Sequence, residues 1–362
     1  MATAHIKLAA LSHNLARVRA HIPHNTRVLV AIKANAYGHG SVIVAKHLQS
    51  QGVSWFGVAT ASEALELRSA GIHANILIFS PVYERVAEVV EAEIALCIAN
   101  EASLDAVIET GLAGEARAHL KVDTGMGRLG HKPDKALGLA EKLSTLGILE
   151  GVWTHFAASD EPDREFTNCQ LELFEHFLND LNKRSIHKGI VHAANSGAVF
   201  AFPDSHFDMV RPGIGMYGYH SGSQLERLEP DLQPALSLSA PVTFVKRISE
   251  NTPLSYGTLW HAPHDTTIAT VRIGYADGYP RLLTGKGEVL VQNKRCKIVG
   301  RICMDQLMID VGELDVSVGE RVTLIDADKS KQLDAEHVAQ NIGTISYELL
   351  TSIAPRVERE YG

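Results

Sequence analysis

The sequence predicts an α/β chain in two parts, an N-terminal (β/α)8 barrel of the TIM type followed by a mostly β domain. Two observations carry this. Short apolar runs recur near residues 27–32, 53–59, 75–79, 94–98, 116–122, 150–155, 189–193 and 208–211, and stretches with helical spacing separate most of them. Past Tyr219 the alternation stops, and residues 235–325 read as strands and turns without helices.

Alternation of strand and helix specifies a parallel sheet. Eight repeats within about 220 residues fit a closed barrel better than an open one, a doubly wound sheet being the alternative. The helical patterns fall at 41–50, 61–70, 83–92, 101–110, 133–146 and 164–182. The last is the clearest, with Phe166, Leu171, Phe174, Phe177, Leu178 and Leu181 near helical spacing, and Pro133 suits the first turn of the helix it opens. Ser221-Gly222-Ser223 marks the change of texture. Strands then follow at 237–248, 266–274, 287–299, with a turn at Asn293-Lys294, and 320–326, before a helical portion at 334–353. The expected limits are 1–228 for the barrel and 229–362 for the β-rich domain, with the first few residues allowed to pack with the latter.

Composition narrows the class. A chain of 362 residues exceeds one typical core. Hydrophobic content of 45% and charged content of 21% describe an ordinary soluble enzyme, and a net charge of −8 argues against a nucleic-acid surface. The start Met1-Ala2-Thr3-Ala4-His5-Ile6-Lys7 has no basic segment leading into an apolar block, and no apolar run reaches membrane-spanning length, so a cytoplasmic protein is expected. Four cysteines lie scattered without a CxxC pair, and 18 histidines form no HxH, HxxxH or HExxH group, so no metal is expected.

One charge is out of place. Lys33 ends the apolar run Val28-Leu29-Val30-Ala31-Ile32 and is followed at once by turn residues. A strand buried on both faces penalises an unpaired ammonium. Desolvation favours the neutral amine, and a neutral amine forms a Schiff base with an aldehyde; the plainer alternative is a strand-end lysine with its head in solvent.

In a parallel barrel the reactive groups sit beyond the carboxyl ends of the strands. Those ends carry Lys33, then Asp123-Thr124-Gly125-Met126-Gly127-Arg128, His155, Asn195-Ser196-Gly197 and Arg211-Pro212-Gly213-Ile214-Gly215. Barrels often bind phosphate on the loops after strands seven and eight, where Ser196-Gly197 and Gly213-Ile214 lie. An imine-forming lysine facing a phosphate cradle fits pyridoxal 5′-phosphate. Gly125–Gly130 and Gly213–Gly218 also fit the dinucleotide pattern GxGxxG, but the fingerprint opens a helix within its glycines, whereas the helix after the first copy is expected to start near Pro133.

Ala31-Ile32-Lys33-Ala34-Asn35-Ala36-Tyr37-Gly38-His39-Gly40, the run Lys121 to Gly130, the run Arg211 to Gly218, Ser255-Tyr256-Gly257 and Gly300-Arg301-Ile302-Cys303-Met304-Asp305 together resemble the alanine racemase family. The resemblance spans both domains in order. It implies a barrel with a C-terminal β domain, a pyridoxal phosphate cofactor, a small amino-acid substrate, a homodimer with shared active sites, and interconversion of L- and D-alanine for peptidoglycan.

Residue by residue, it implies that Lys33 holds the cofactor and is one of two catalytic bases, and that Tyr256 of the neighbouring subunit is the other. Tyr37, Asn195, Ser196, Gly213 and Ile214 would bind the cofactor, with Arg211 at its ring nitrogen and His155 beside it. Arg128 and Met304 would bind substrate. Lys121, which some members carry as a carbamate, and Asp305 would support them.

A phenol near pKa 10 needs cationic neighbours to act as a base at neutral pH, and Arg128, Arg211 and His155 are the candidates. Ala354-Pro355 stand where some members present a tyrosine toward substrate, which leaves serine or another small amino acid as the alternative substrate. A related barrel-type decarboxylase and a non-catalytic cofactor carrier are further readings. The Ser255-Tyr256-Gly257 motif counts against the first, and the β domain against the second.

Overall fold

In the computed structural model, Leu11–Ala36 and Ser41–Leu232 form one unit, and Met1–Ala10, Tyr37–Gly40 and Gln233–Gly362 another. The described residues are 1–222, 225–229 and 231–362; Ser223, at the expected change of texture, lies outside them.

Strand β1 (Thr3–Ile6) belongs to the second unit. The first unit holds eight parallel strands: β2 (Arg27–Ala31), β3 (Trp55–Val58), β4 (Asn75–Ile78), β5 (Leu96–Ile98), β6 (Ala118–Lys121), β7 (Leu149–Trp153), β8 (Ile190–His192) and β9 (Met209–Val210). They pair in the orders β4-β3-β2-β9 and β5-β6-β7-β8. A parallel bridge from Leu77 to Ala95 joins the two sets on one side; on the other, Asp208 N donates to Val191 O at 3.0 Å and Arg211 N to Ala194 O at 2.8 Å. The ring is closed, and each expected run supplies one strand.

Helices Ser41–Ser50, Ala61–Ser69, Val86–Glu91, Glu101–Ile108, Pro133–Thr145 and Glu165–Lys183 stand at the expected positions. Helix Glu165–Lys183 buries Gln170, Leu171, Phe174, Phe177, Leu178 and Leu181, while Phe166 lies at the margin of that stripe and is half exposed. Two further helices, Leu8–Ala20 and Ser196–Ala201, were not anticipated. The first buries Leu11, Leu15 and Val18 at helical spacing; the second is capped by Asn195, whose Oδ1 accepts from Ala198 N at 3.0 Å.

The second unit is built on β10 (Leu236–Ile248), β11 (Pro253–Leu254), β12 (Trp260–His261), β13 (Thr266–Val271), β14 (Glu288–Val291), β15 (Lys294–Val299), β16 (Leu307–Asp310), β17 (Arg321–Ile325) and β18 (Glu358–Tyr361). The order β13-β16-β15-β14-β17-β10 closes on itself, because β10 pairs with β13 as well as with β17. Register shifts at Leu238/Ser239 and Val242/Phe244 mark where this long strand departs from regular pairing. Strand β1 runs antiparallel to β10, and β18 parallel to β1.

The run 287–299 contains two strands. Its turn is Gln292-Asn293, one residue earlier than expected, with both φ values positive (52° and 62°) as a tight twisted hairpin requires. Helices Ala335–Gln340 and Ser346–Thr351 occupy the late helical stretch. Among the described residues no helix is long and apolar enough to cross a membrane.

Candidate active site

Lys33 leaves the end of β2 and enters an unusual backbone. Ala34, Asn35, Ala36 and Tyr37 all have φ between 52° and 54°, a left-handed helical turn that L-residues adopt only at a cost of roughly 1–2 kcal/mol each. Local bonds hold the turn on the barrel side. Ala36 N donates to Ile32 O at 2.8 Å, Ser41 N to Asn35 Oδ1 at 2.8 Å, and Ala34 N to Glu63 Oε1 at 2.6 Å. Glu63 also accepts from Ala59 N and Thr60 N, at 2.8 and 3.1 Å, so one carboxylate ties the lysine's loop to the start of helix Ala61–Ser69.

Burial lowers the pKa of the Lys33 amine, and the Arg128 charge lowers it further against an opposing pull from Glu63. No acceptor for Lys33 Nζ is placed among the described residues. Lys33 itself is half-buried.

The barrel mouth gathers the other expected groups. Asp123 Oδ1 accepts from Gly125 N and Gly127 N, at 3.1 and 3.0 Å, and folds the loop that presents Arg128. The helix begins only at Pro133, after these glycines, and Gly130 turns back so tightly that a Cβ there would stand 2.6 Å from Lys121 O. Lys121 ends β6 almost fully buried, its Nζ 2.6 Å from Val122 O and 5.2 Å from the Trp153 ring centroid. Burial pushes its amine down to about 8.

Arg211 is buried to 4% exposure. Its Nη2 donates to Thr154 O and Ala193 O, both at 2.8 Å, and lies 3.2 Å from His155 Nδ1, while Nη1 lies 3.0 Å from His192 Nδ1. Nε–H has no acceptor among the described residues. Burial pushes the guanidinium down to about 9, still protonated at neutral pH. His155 is held well below its usual value by burial, then by Arg211, Arg128, Lys121 and Lys33. This corrects the expectation that His155 adds positive charge: it is neutral, and the cationic field comes from the arginines.

Asn195 Oδ1 accepts from Ser159 Oγ at 2.7 Å besides capping its helix. Ser196 Oγ accepts from Gly213 N at 2.8 Å and Gly215 N at 3.3 Å, joining the loops after β8 and β9. The hydroxyl's own hydrogen is left to donate outward, beside the turn Ile214–Tyr217.

Tyr37, Tyr256, Met304 and Asp305 belong to the second unit. Tyr37 is buried, which pushes its phenol up and keeps it a donor, and its ring centroid lies 5.9 Å from that of Tyr347. Tyr256 is 72% and Met304 54% exposed in the chain. Ser255 holds φ 68° and ψ −179°, a conformation nearly confined to glycine, fixed by Ser255 Oγ donating to Arg301 O at 2.9 Å. Arg356 bridges Asp305 and Asp277, at 2.7 Å to each, and so braces the Met304 segment.

Several residues that matter here were not singled out from sequence: Glu63, Trp153, Gln170, His119 and His192. Gln170 braces the His155 loop through Ala157 N and His155 O, at 2.9 and 3.2 Å. A signal existed for His119, which shares the interior face of β6 with Lys121 two residues on.

A desolvated lysine without a protein acceptor, a buried arginine with an unspent Nε–H, and a serine hydroxyl set among loop amides fit an aldehyde cofactor with a ring nitrogen and a phosphate. Fold and site define a pyridoxal phosphate-dependent barrel enzyme. Residues 6–221 match the family model for the alanine racemase N-terminal domain and residues 235–361 that for the C-terminal domain. The chain belongs to the alanine racemase family.

It is 40% identical to the alanine racemase of Desulforamulus reducens, over 99% of this chain and 98% of the relative, and 40% identical to that of Methanococcus maripaludis over the same shares. The crystal structure of alanine racemase from the D-cycloserine-producing Streptomyces lavendulae superposes with a TM-score of 0.93 at 36% identity, covering 100% of this chain and 97% of that one. The structure from Bacillus anthracis with bound L-Ala-P gives a TM-score of 0.93 at 36% identity, covering 100% and 95%.

Proposed function

We propose that this protein interconverts L-alanine and D-alanine with pyridoxal 5′-phosphate, in the cytoplasm and as a homodimer, with D-alanine serving peptidoglycan. The observation that carries the reading is Lys33: a desolvated amine with no protein acceptor, at a strand end, under the charge of Arg128.

Lys33 would hold the cofactor, with Arg211 at its ring nitrogen, His155 beside that contact, and Tyr37, Asn195, Ser196, Gly213 and Ile214 around its phosphate and ring. When bound, pyridoxal phosphate supplies an electron sink that acidifies the substrate α-hydrogen. Lys33 Nζ takes or returns the α-proton on one face and Tyr256 Oη of the partner subunit does so on the other, so each hand of alanine has its own base. The exposure of Tyr256 in the single chain agrees with a role in another chain's site. Arg128 orients the substrate carboxylate with the Met304 backbone, and Lys121 and Asp305 support them. Arg211 donates a hydrogen bond and keeps its proton, which limits electron withdrawal through the ring and so suppresses transamination.

Incubation with L-alanine in deuterium oxide tests the activity. Loss of the α-proton together with D-alanine formation is expected; no exchange would overturn the reading. Ala354-Pro355 favour a second reading, serine or another small amino acid, and comparing kcat/KM for alanine and serine in the same assay decides it.

A further inference from the structure

A line of polar side chains runs through the barrel interior from Arg211. His192 Nδ1 lies 3.0 Å from Arg211 Nη1, His192 Nε2 lies 2.9 Å from His119 Nδ1, and His119 Nε2 lies 3.4 Å from Glu150 Oε2. Both imidazoles are fully buried. Space is kept for them: a Cβ on Gly151 would stand 2.5 Å from His119 Nδ1, and His192 stacks on Trp153 with the rings 1° from parallel. At the far end Arg117 grips Glu150, Nη2 to Oε1 at 2.6 Å and Nε to Oε2 at 3.1 Å.

The two ends fix every proton between them. Arginine donates and never accepts, so His192 Nδ1 accepts and its hydrogen sits on Nε2. That makes His119 Nδ1 an acceptor and leaves its hydrogen on Nε2, where among the described residues it meets no aligned hydrogen-bond acceptor and lies in a 3.4 Å charge contact with a carboxylate that only accepts. Reading from Glu150 back to Arg211 gives the same assignment. Protonating either ring would set a hydrogen against a donor, so both rings stay neutral.

We propose that Glu150 is a positioning residue for the reaction: through His119 and His192 it holds Arg211 as a donor and fixes the angle at which Arg211 Nε–H meets the cofactor's ring nitrogen. The proposal rests on the placement of Arg211 at that nitrogen. A glutamine at 150 would keep its oxygen on Arg117 Nη2 and turn its amide NH2 toward His119. Both imidazoles would then have to reverse, and His192 would present N–H to Arg211, donor against donor.

The test uses the full-length holoenzyme labelled with 15N-histidine. The wild type is expected to show both buried rings as the Nε2–H tautomer, assigned with H119N and H192N. E150Q should convert at least one ring to Nδ1–H, shift the absorption band of the bound cofactor, and raise transamination relative to racemisation about tenfold, the scale on which outer hydrogen-bond partners act. Nδ1–H tautomers in the wild type would overturn the proposal without need of any variant. So would an E150Q protein with unchanged absorption and product ratio where R211E changes both, an outcome that leaves Arg211 at the ring nitrogen. If R211E moves neither, the Arg211 assignment fails and the proposal with it.

Discussion

Arg211 Nη2 stands 3.2 Å from His155 Nδ1. Since the guanidinium must donate, His155 accepts, carries its hydrogen on Nε2, and is neutral. The same holds for His192 on Nη1. A barrel mouth rich in basic side chains thus keeps its imidazoles uncharged and concentrates positive charge on the arginines.

Stability should therefore fall as the medium becomes mildly acidic. His119, His155 and His192 are all depressed, each chiefly by burial. Below about pH 6.5 the unfolded chain binds protons that the folded chain refuses, so unfolding free energy drops by at most about 1.4 kcal/mol per imidazole for each pH unit, until the folded values are reached. Glu150 adds to the loss only at lower pH. Burial pushes its carboxyl up, but His119 and Arg117 bring it down to about 2, so its contribution disappears below the ordinary carboxylate range. Urea unfolding at pH 7.5 and 5.5 reads the histidine part; equal free energies at the two values would contradict it.

The loop carrying Lys33 should come loose without Glu63, whose carboxylate binds the amides of Ala34, Ala59 and Thr60. E63A removes an acceptor from a left-handed turn that pays for its conformation elsewhere. A loss of about 2 kcal/mol is expected from urea unfolding, the worth of hydrogen bonds to a charged group, together with faster release of cofactor on dialysis. Unaltered stability and retention would show that the turn holds itself.

The barrel was legible because its strands are buried on both faces and its helices on one, so period and apolarity agree: Val28-Leu29-Val30 and the stripe Leu171, Phe174, Phe177 and Leu181 are cases. Candidate site residues at strand ends stood out in the same way, as polar interruptions of apolar runs, and the structure gathers Lys121, His155 and Arg211 at one end of the barrel. Short strands such as Leu307–Asp310 and Thr3–Ile6 were not legible, since four residues give too little alternation to stand out, and the partners of Thr3–Ile6 lie far away in sequence. His119 and His192 escaped because histidines were weighed as metal ligands, by spacing along one segment. Their relation is across strands, 73 residues apart, and no local pattern carries it.

Lys121, with its amine pushed down to about 8, has a neutral fraction at neutral pH that is able to take up carbon dioxide. Protein supplied with 13C-bicarbonate is expected to show a carbamate resonance that K121A lacks. The variant should also raise KM for alanine roughly fivefold, an interaction near 1 kcal/mol lost from beside Arg128, with a smaller change in kcat. A wild type without that resonance would leave Lys121 as an amine held on Val122 O.

Whether Tyr256 serves its own chain or its neighbour's is decided by mixing two inactive variants. If each site takes Lys33 from one subunit and Tyr256 from the other, K33A and Y256F homodimers are both dead, yet their heterodimer has one site with both mutations and one with neither. Random reassortment of equal amounts makes about half the dimers mixed, and each carries one intact site of two, so about a quarter of wild-type activity should return. Sites formed within one chain would recover nothing, because no chain in the mixture carries both residues. Y256F alone should keep the cofactor's absorbance and lose turnover from L-alanine, and K33A should lose the absorbance. Recovery near a quarter would fix both the two-base arrangement and the shared site in one measurement, since neither a monomeric racemase nor a dimer with self-contained sites produces activity from two dead proteins.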